Sequence, residues 1–144
     1  MNKLYIDCDR HAVLLKRSII DVLSCSFDIS DLNLGAKNPY PLIAANLAKA
    51  IQVNPESLGI LLCKTGTGMA IVANKFKGIY AATCHSVTEC EYFRKSNHGN
   101  VLCLASEILS VECAMDICRT FISTAFDFAN QNRIELIQRI EGGI

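Results

Sequence analysis

The sequence predicts an α/β fold: a doubly wound, mostly parallel five-stranded sheet flanked by helices in a Rossmann-like three-layer arrangement. Five short apolar runs alternate with longer segments of helical periodicity, which is the pattern of successive β-α units. The run over residues 58–63 is apolar throughout, as expected of a strand that is buried on both faces of a parallel sheet. With 51% hydrophobic and 19% charged residues, residues 1–144 are predicted to form a single domain around one core.

The predicted elements follow this alternation along the chain. Strands are expected over residues 4–6, 27–32, 58–63, 79–84 and 101–104. The first helix carries apolar residues on one side, and Lys16 and Arg17 are expected to face water on the other. Pro41 is suited to the first turn of a second helix. Further helices are predicted over residues 69–76, 111–128 and 131–140.

The charge balance limits the possible partners. Lys and Arg total 14 and Asp and Glu total 14, so neither a nucleic acid nor an anionic membrane surface is expected as a partner. A small phosphorylated ligand stays compatible, because its capture needs only a local group of donors. The first ten residues lack the apolar centre of an export signal, and no apolar run approaches the roughly 18 residues of a membrane-spanning helix. A cytoplasmic location is therefore expected.

The eight cysteines form no metal or redox motif. None belongs to a C-x-x-C pair, the short spacing that zinc sites and redox dithiols usually need. A reducing cytoplasm also disfavours disulfides. A single cysteine in such a chain is ordinarily a small buried hydrophobic residue. A catalytic role is therefore assigned only to a cysteine whose position in the predicted fold supports it. No metal site is predicted.

The predicted topology locates the chemistry. In an open parallel sheet, ligands bind beyond the carboxyl ends of the strands, where the strand order reverses. Residues 7–11 follow the first strand, and residues 63–68 follow the third. Gly66 and Gly68 allow backbone N–H groups to converge on an anion, and the helix that begins there adds a partial positive charge. The segment lacks the Walker A and dinucleotide-binding patterns, which leaves an anion-binding loop with Cys63 at its edge.

Two longer segments carry a family resemblance. Residues 59–68 read Gly-Ile-Leu-Leu-Cys-Lys-Thr-Gly-Thr-Gly, and residues 73–79 read Ala-Asn-Lys-Phe-Lys-Gly-Ile. Shorter matches are Cys8-Asp9, Tyr40-Pro41, and Asn97 with Asn100-Val101-Leu102. In these segments the chain resembles the ribose-5-phosphate isomerase B type, a family that includes the galactose-6-phosphate isomerase subunits. The resemblance spans nearly the whole chain.

The resemblance implies that ribose 5-phosphate and ribulose 5-phosphate are interconverted through an enediolate, without a metal or an organic cofactor. Cys63 as a thiolate would move a proton between C2 and C1, and Thr65 would help to move the hydroxyl protons. Backbone N–H groups of residues 65–68 would hold the enediolate oxygen. Asp9 and Asn97 would contact sugar hydroxyls. Family members are dimers whose active sites use residues of both subunits, so a homodimer or higher homo-oligomer is expected.

The chain departs from the family pattern at several positions. The family has His where this chain has Arg10, Gly where it has Lys64, and a ring-opening His where it has Ser96. Near the carboxyl terminus, Arg133 matches the last Arg of the family motif. Because Arg binds phosphate in a forked geometry, Arg10 and Arg133 are predicted to bind the phosphate. His98, two residues after Ser96, is a candidate for ring opening.

The predicted site joins these candidates. Its catalytic residues are Cys63, Thr65 and His98. Its substrate-binding residues are Asp9, Arg10, Lys64, Gly66, Thr67, Gly68, Ser96, Asn97 and Arg133. Each has a structural alternative: Asp9 suits a helix N-cap, Cys63 suits a buried thiol, and the arginines suit a solvated surface.

Two alternatives to a ribose-5-phosphate isomerase stay open. Loss of the family His at Ser96 and of a family Arg at Ala129 favours a catalytically weakened subunit that binds a sugar phosphate. The intact loop over residues 63–68 favours the enzyme. An isomerase of another sugar phosphate, such as galactose or allose 6-phosphate, is the other alternative.

Overall fold

The computed structural model describes residues 3–34 and 37–144 and confirms the predicted α/β fold. The strands are β1 (Lys3–Cys8), β2 (Asp28–Asp31), β3 (Leu58–Cys63), β4 (Ala81–Thr83) and β5 (Val101–Ala105). The helices are α1 (Val13–Leu23), α2 (Tyr40–Val53), α3 (Thr67–Ala73), α4 (Val87–Asn97), α5 (Val111–Ser123) and α6 (Gln131–Glu141). A short 3₁₀ helix (Phe128–Asn130) precedes α6. The strands form one parallel sheet in the order β2-β1-β3-β5-β4.

The strand order reverses between β1 and β3. From β1 the chain moves outward to β2, and from β3 it moves to β4 at the opposite edge. Cys8 lies opposite Leu62 in the register, and the Asp9 N–H donates to the Leu62 carbonyl at 3.0 Å. The segments after Cys8 and after Cys63 therefore leave the carboxyl edge of the sheet side by side, as the ligand-binding rule for such sheets requires.

The sheet divides the hydrophobic core into two layers, one on each face. On one face, α1, α4 and α5 contribute buried side chains such as Ile19, Phe93 and Phe121. On the other face, α2 and α3 contribute Leu47 and Met69. Both faces of β3 are covered, which explains its uninterrupted apolar sequence. Full burial of each such side chain stabilises the fold by about 1.5–3 kcal/mol.

Lys16 does not face water, contrary to the prediction from helix periodicity. It is only 6% exposed, and its Nζ lies 3.0 Å from Asp31 Oδ1 and 3.8 Å from Asp7 Oδ1. A lysine is rarely buried unless it is paired, and the two carboxylates on β1 and β2 supply the partners. Periodicity along one helix gives no information about charges on the neighbouring strands.

The helix predicted over residues 111–128 ends at Ser123. At Thr124 the backbone becomes extended, and the Thr124 carbonyl accepts a hydrogen bond from Arg94 Nε at 3.0 Å. Phe126 then turns inward and is only 8% exposed. The hydrogen bond from Arg94 of α4 thus accompanies the end of α5, although the apolar sequence pattern continues beyond Ser123.

The remaining predicted elements are confirmed, with shifted ends. β1 is longer than predicted, β4 is confined to Ala81–Thr83, and α3 begins at Thr67. Such shifts are ordinary, because helix and strand ends depend on hydrogen bonds that the local sequence does not specify. No helix in the described ranges is long and apolar enough to cross a membrane.

Candidate active site

Cys63 ends β3 and lies against the loop that follows it. The residue is 7% exposed, and its Sγ accepts a hydrogen bond from the Gly66 N–H at 3.1 Å. The Cys63 carbonyl is also held, because it accepts from the Ser106 N–H at 2.9 Å. The thiol is therefore fixed at the carboxyl edge of the sheet.

Gly66 gives the loop its shape. Its φ of 78° lies in the left-handed region, and a Cβ placed on it would stand 2.8 Å from Thr83 Cγ2. Both the backbone conformation and the close approach to β4 require glycine here. The turn directs the Gly66 N–H toward Cys63 and starts α3 at the next residue.

Gly68 meets a different neighbour. A Cβ at this position would stand 2.5 Å from Tyr40 Cε1, so the aromatic ring of Tyr40 lies directly over the loop. Lys64 and Thr65 are exposed, and Thr65 Oγ1 accepts from the Thr67 N–H at 3.4 Å. The loop thus carries an exposed lysine and an exposed threonine directly after the buried cysteine in the sequence.

The segment after β1 supplies the facing wall. Asp9 Oδ1 accepts from the His11 N–H at 2.9 Å, and Arg10 Nε lies 3.5 Å from His11 Nε2. Asp9 is not the N-cap of α1, since that position is Ala12 and has no side-chain cap. A cavity of about 610 Å³ adjoins this segment; it is lined by Asp9, Arg10, His11, Lys37, Asn38, Pro39, Tyr40 and Pro41.

A fully buried carboxylate lies under this wall. Asp7 accepts hydrogen bonds from the Cys8 N–H at 2.8 Å and from the Leu34 N–H at 3.0 Å. Burial raises the pKa of Asp7, and these bonds together with Lys16 partly offset the rise. Burial also raises the pKa of the Cys8 thiol to about 11. Cys8 is therefore a structural thiol at neutral pH.

We define the loop half-site as Asp9, Arg10 and residues 63–68. All of these residues follow the carboxyl ends of β1 and β3, as the sequence predicted. Among the other buried thiols, burial raises the pKa of Cys103 and Cys118, and a hydrogen bond with Cys90 together with burial raises the pKa of Cys84. Of the cysteines in the described ranges, Cys63 is the one whose sulfur accepts a backbone N–H at this edge.

Ser96, Asn97 and Arg133 lie at the other end of the sheet. Because α4 connects β4 to the parallel strand β5, its last residues reach the amino edge. The Lys95 carbonyl accepts from Asn130 Nδ2 at 3.3 Å, and Asn130 Oδ1 accepts from Arg133 Nη1 at 3.0 Å. We define the helix half-site as Ser96, Asn97, Asn130 and Arg133. Asn97 and Arg133 are exposed.

His98 is fixed beside the helix half-site. Its backbone is left-handed, with φ 54°, and its ring stacks on Phe126 at a centroid distance of 4.1 Å and an interplanar angle of 14°. Burial and the positive charge of Arg94 lower the pKa of His98. The ring borders a cavity of about 840 Å³, whose lining also includes Lys3 and Tyr80 at the amino edge.

One chain therefore holds the predicted site in two separate pieces. The loop half-site combines a thiol with hydrogen-bond donors for an anion, and the helix half-site offers an amide and a guanidinium. His98 is not next to Cys63. Within the described residues, no group of three His, Cys, Asp or Glu side chains is placed to hold a metal.

Several residues near the loop half-site were not among the predicted site residues. Tyr40 was part of a short sequence match only, and Lys37 was not proposed. Asp7, in β1, and His11, in the segment after it, were given no role. Their proximity to the loop depends on how β1, α2 and the loop pack together, for which the sequence carries no local signal.

The chain resembles known proteins over almost its whole length. Residues 4–137 match the family described as Ribose/Galactose Isomerase. A D-erythrulose-4-phosphate isomerase from Pectobacterium atrosepticum is 37% identical over 88% of this chain and 86% of its own length. A 4-deoxy-4-sulfo-D-erythrose isomerase from Clostridium sp. is 34% identical over 86% of this chain and 80% of its own length.

A solved structure agrees with this fold throughout. Ribose-5-phosphate isomerase B from Mycoplasma genitalium, with bound ribulose-5-phosphate, superimposes with a TM-score of 0.92 and 32% identity. The match covers 99% of this chain and 97% of that one.

Proposed function

Because the chain belongs to the ribose/galactose isomerase family, we propose that it is an aldose–ketose isomerase that interconverts ribose 5-phosphate and ribulose 5-phosphate. The observation that carries the proposal is the position of Cys63. Its sulfur lies at the strand-order reversal and accepts the N–H of a glycine whose conformation only glycine readily adopts. The geometry suits an acid/base group next to an anion-binding loop.

Proton transfer follows from that position. The Cys63 thiolate takes the proton from C2 of the aldose and returns it to C1, while a proton moves from O2 to O1. The C1–C2 enediolate is the intermediate. Thr65, an exposed residue two positions after Cys63, assists the transfer between the two oxygens in this proposal. The fixed sulfur supports this route, since one group can serve both adjacent carbons.

The backbone of residues 65–68 stabilises the enediolate. Its N–H groups are held by the left-handed turn at Gly66 and by the start of α3. Preorganised donors of this kind stabilise a developing negative charge without reorganisation, and loss of one commonly lowers the rate about 10²–10³-fold. Asp9, across the β1–β3 boundary, contacts a sugar hydroxyl in this proposal.

The working unit in this proposal is a homodimer in which each active site joins one loop half-site to the helix half-site of the partner. Its support is that one chain separates the two half-sites by the length of the sheet. Arg10 and Arg133 bind the phosphate from the two sides, and Asn97 contacts the sugar. The proposal places the enzyme in the cytoplasm, where sugar phosphates are available and thiols stay reduced.

The relatives extend the range of substrates that this chain has to be tested on. Two of them are named for four-carbon substrates, a D-erythrulose 4-phosphate and a 4-deoxy-4-sulfo-D-erythrose. The same exchange of protons between C1 and C2 serves four-, five- and six-carbon sugars. A four-carbon sugar phosphate is therefore the second candidate substrate class.

The test is the conversion of ribose 5-phosphate to ribulose 5-phosphate by the purified protein and by Cys63→Ala. Loss of the acid/base group is expected to lower kcat by about 10²–10⁴-fold. Cys25→Ala is the control, because Cys25 is an exposed thiol at the opposite edge of the sheet.

Full activity of Cys63→Ala would contradict the assigned mechanism. A protein that binds sugar phosphates but converts none of them would instead support the catalytically weakened binding subunit.

A further inference from the structure

We propose that Lys37 is a specificity-determining residue of this enzyme and that its ammonium group recognises the second negative charge of the substrate's phosphate. This inference rests on the proposed function and deepens it. It gives the loop half-site a cation that selects phosphate dianions over monoanions of the same shape. It is drawn from the charges around the cavity beside the loop.

That cavity carries an excess of positive charge. Among the described residues that line its volume of about 610 Å³, Arg10 and Lys37 are cations and Asp9 is the one carboxylate. The chain as a whole is neutral, with 14 basic and 14 acidic residues. A local excess of positive charge in a neutral protein attracts anions to that place and not to the rest of the surface.

The two cations have no carboxylate partner of their own. Within residues 3–34 and 37–144, neither Arg10 nor Lys37 lies within 4.0 Å of a carboxylate oxygen. Asp9 Oδ1 accepts from the His11 N–H at 2.9 Å instead. The positive charges at the cavity are therefore left for a ligand.

The buried carboxylates under this wall are paired with a different lysine. Lys16 Nζ lies 3.0 Å from Asp31 Oδ1 and 3.8 Å from Asp7 Oδ1. Lys16 is only 6% exposed, whereas Lys37 is an exposed residue. Neutralisation of Asp7 and Asp31 is thus assigned to Lys16, and it does not account for Lys37.

The cavity adjoins the anion-binding loop. Tyr40 lines the cavity, and a Cβ placed on Gly68 would stand 2.5 Å from Tyr40 Cε1. Arg10 borders the cavity from the segment that follows β1. A substrate whose C1 and C2 lie at Cys63 is therefore expected to extend along the loop and to place its phosphate between Arg10 and Lys37.

Arg10 and Lys37 recognise this phosphate in different ways. The guanidinium of Arg10 binds two oxygens in a planar fork, which suits any tetrahedral oxyanion. The ammonium of Lys37 acts as a point charge, so its interaction energy is proportional to the charge of the ligand. A phosphate monoester carries a charge of about −1.5 to −2 at pH 7. A sulfate monoester has the same shape and a single negative charge, so Lys37 should distinguish the two.

The experiment compares ribose 5-phosphate with ribose 5-sulfate as substrates of the wild type and of Lys37→Gln at pH 8. We expect Lys37→Gln to raise KM about tenfold for the phosphate and about threefold for the sulfate, because the lost energy scales with the ligand's charge. The change in kcat should be smaller, since the charge acts on substrate and transition state alike. Lys37→Arg keeps the charge and is expected to keep the wild-type ratio of the two KM values.

Lys49→Gln is the matched control. Lys49 is an exposed lysine on α2 that does not line the cavity, so both KM values are expected to stay unchanged. A merely structural role of Lys37 would change KM equally for the two substrates. Only recognition of charge changes the ratio.

An unchanged ratio of the two KM values in Lys37→Gln would overturn the proposal while leaving the isomerase intact. Loss of the wild-type ratio in Lys37→Arg would also overturn it, because the positive charge is then still present. Conversion of neither sugar by the wild type would count against the proposed function. Calorimetric binding of the same two sugars then tests Lys37 by itself, and an equal change of both dissociation constants in Lys37→Gln would contradict its role.

Discussion

The loop half-site is built around a buried thiol and a buried glycine at the carboxyl edge of the sheet, whereas the helix half-site lies at the end of a helix and includes two exposed side chains. In the first, Cys63 is 7% exposed and Gly66 is buried against Thr83 of β4 and Cys103 of β5. In the second, Asn97 and Arg133 are exposed, and hydrogen bonds through Asn130 connect Arg133 to α4.

This difference separates chemistry from recognition. A group that moves protons must be held within a fraction of an ångström of the reacting carbons, and buried backbone supplies that rigidity. A group that recognises phosphate acts through charge over a longer distance and tolerates exposure. The substitutions that follow test whether the two half-sites divide the work in this way.

Gly66→Ala is expected to have the largest effect. The left-handed φ costs an alanine about 1–2 kcal/mol, and the new Cβ would stand 2.8 Å from Thr83 Cγ2. A shift that misaligns the N–H donated to Cys63 is expected to lower kcat about 10²-fold or more. Gly78→Ala is a matched control, because Gly78 has a φ of 79° and a Cβ added there would have no neighbour within 4 Å. Activity and urea unfolding of both variants measure the two effects.

Comparable activity of the two variants would show that the position of the Gly66 N–H does not matter to catalysis. The role of the loop would then have to be assigned to side chains.

Mixing Cys63→Ala with Arg133→Ala is expected to have the next largest effect. If each active site uses one half-site from each subunit, a mixed dimer contains one intact site. Random pairing of the two variants should then restore about a quarter of the wild-type sites, although neither variant alone has an intact site. Initial rates at low substrate concentration after co-refolding measure the recovery.

Activity equal to the average of the two separate variants would show that each site is built within one chain. Co-refolded Cys63→Ala with Cys63→Ser is the control, since neither subunit supplies the thiol.

Arg133→Ala alone is expected to act on binding. An exposed cation that contacts the phosphate should raise KM about tenfold, with a smaller change in kcat, because its charge acts on substrate and transition state alike. Arg139→Ala is the control, because Arg139 is also exposed on α6 but lies in its last turn. An unchanged KM for Arg133→Ala would remove this residue from the helix half-site.

Asp7→Asn is expected to have the smallest effect, and it probes the support of the loop half-site. Burial raises the pKa of Asp7, so the folded protein holds this proton more tightly than the unfolded chain does. The contribution of Asp7 to the free energy of unfolding is therefore largest below its unfolded pKa and falls as the pH rises through the folded pKa. The stability difference between wild type and Asp7→Asn should shrink from pH 4 to pH 8.

Urea unfolding across this pH range measures that difference. Asp28→Asn is the control, because Asp28 is an exposed carboxylate on the neighbouring strand. A difference that grows with pH would contradict the raised pKa of Asp7.

The sequence by itself determined the fold class and the loop half-site. Apolar runs of strand length alternate with amphipathic helices, and both properties are local, so they can be read along the chain. The Cys63–Gly68 loop could also be predicted, because closely spaced glycines directly after a buried strand commonly form an anion-binding turn at this edge of a sheet.

Only the tertiary structure decided which of these residues are neighbours. The burial of Lys16 depends on Asp7 and Asp31, which lie on two strands, and the end of α5 depends on Arg94 of α4. Ser96 and Arg133 were predicted to share a site with Cys63, yet within one chain they lie at the opposite edge of the sheet. Such contacts join residues far apart in sequence through packing, and packing depends on the whole chain at once.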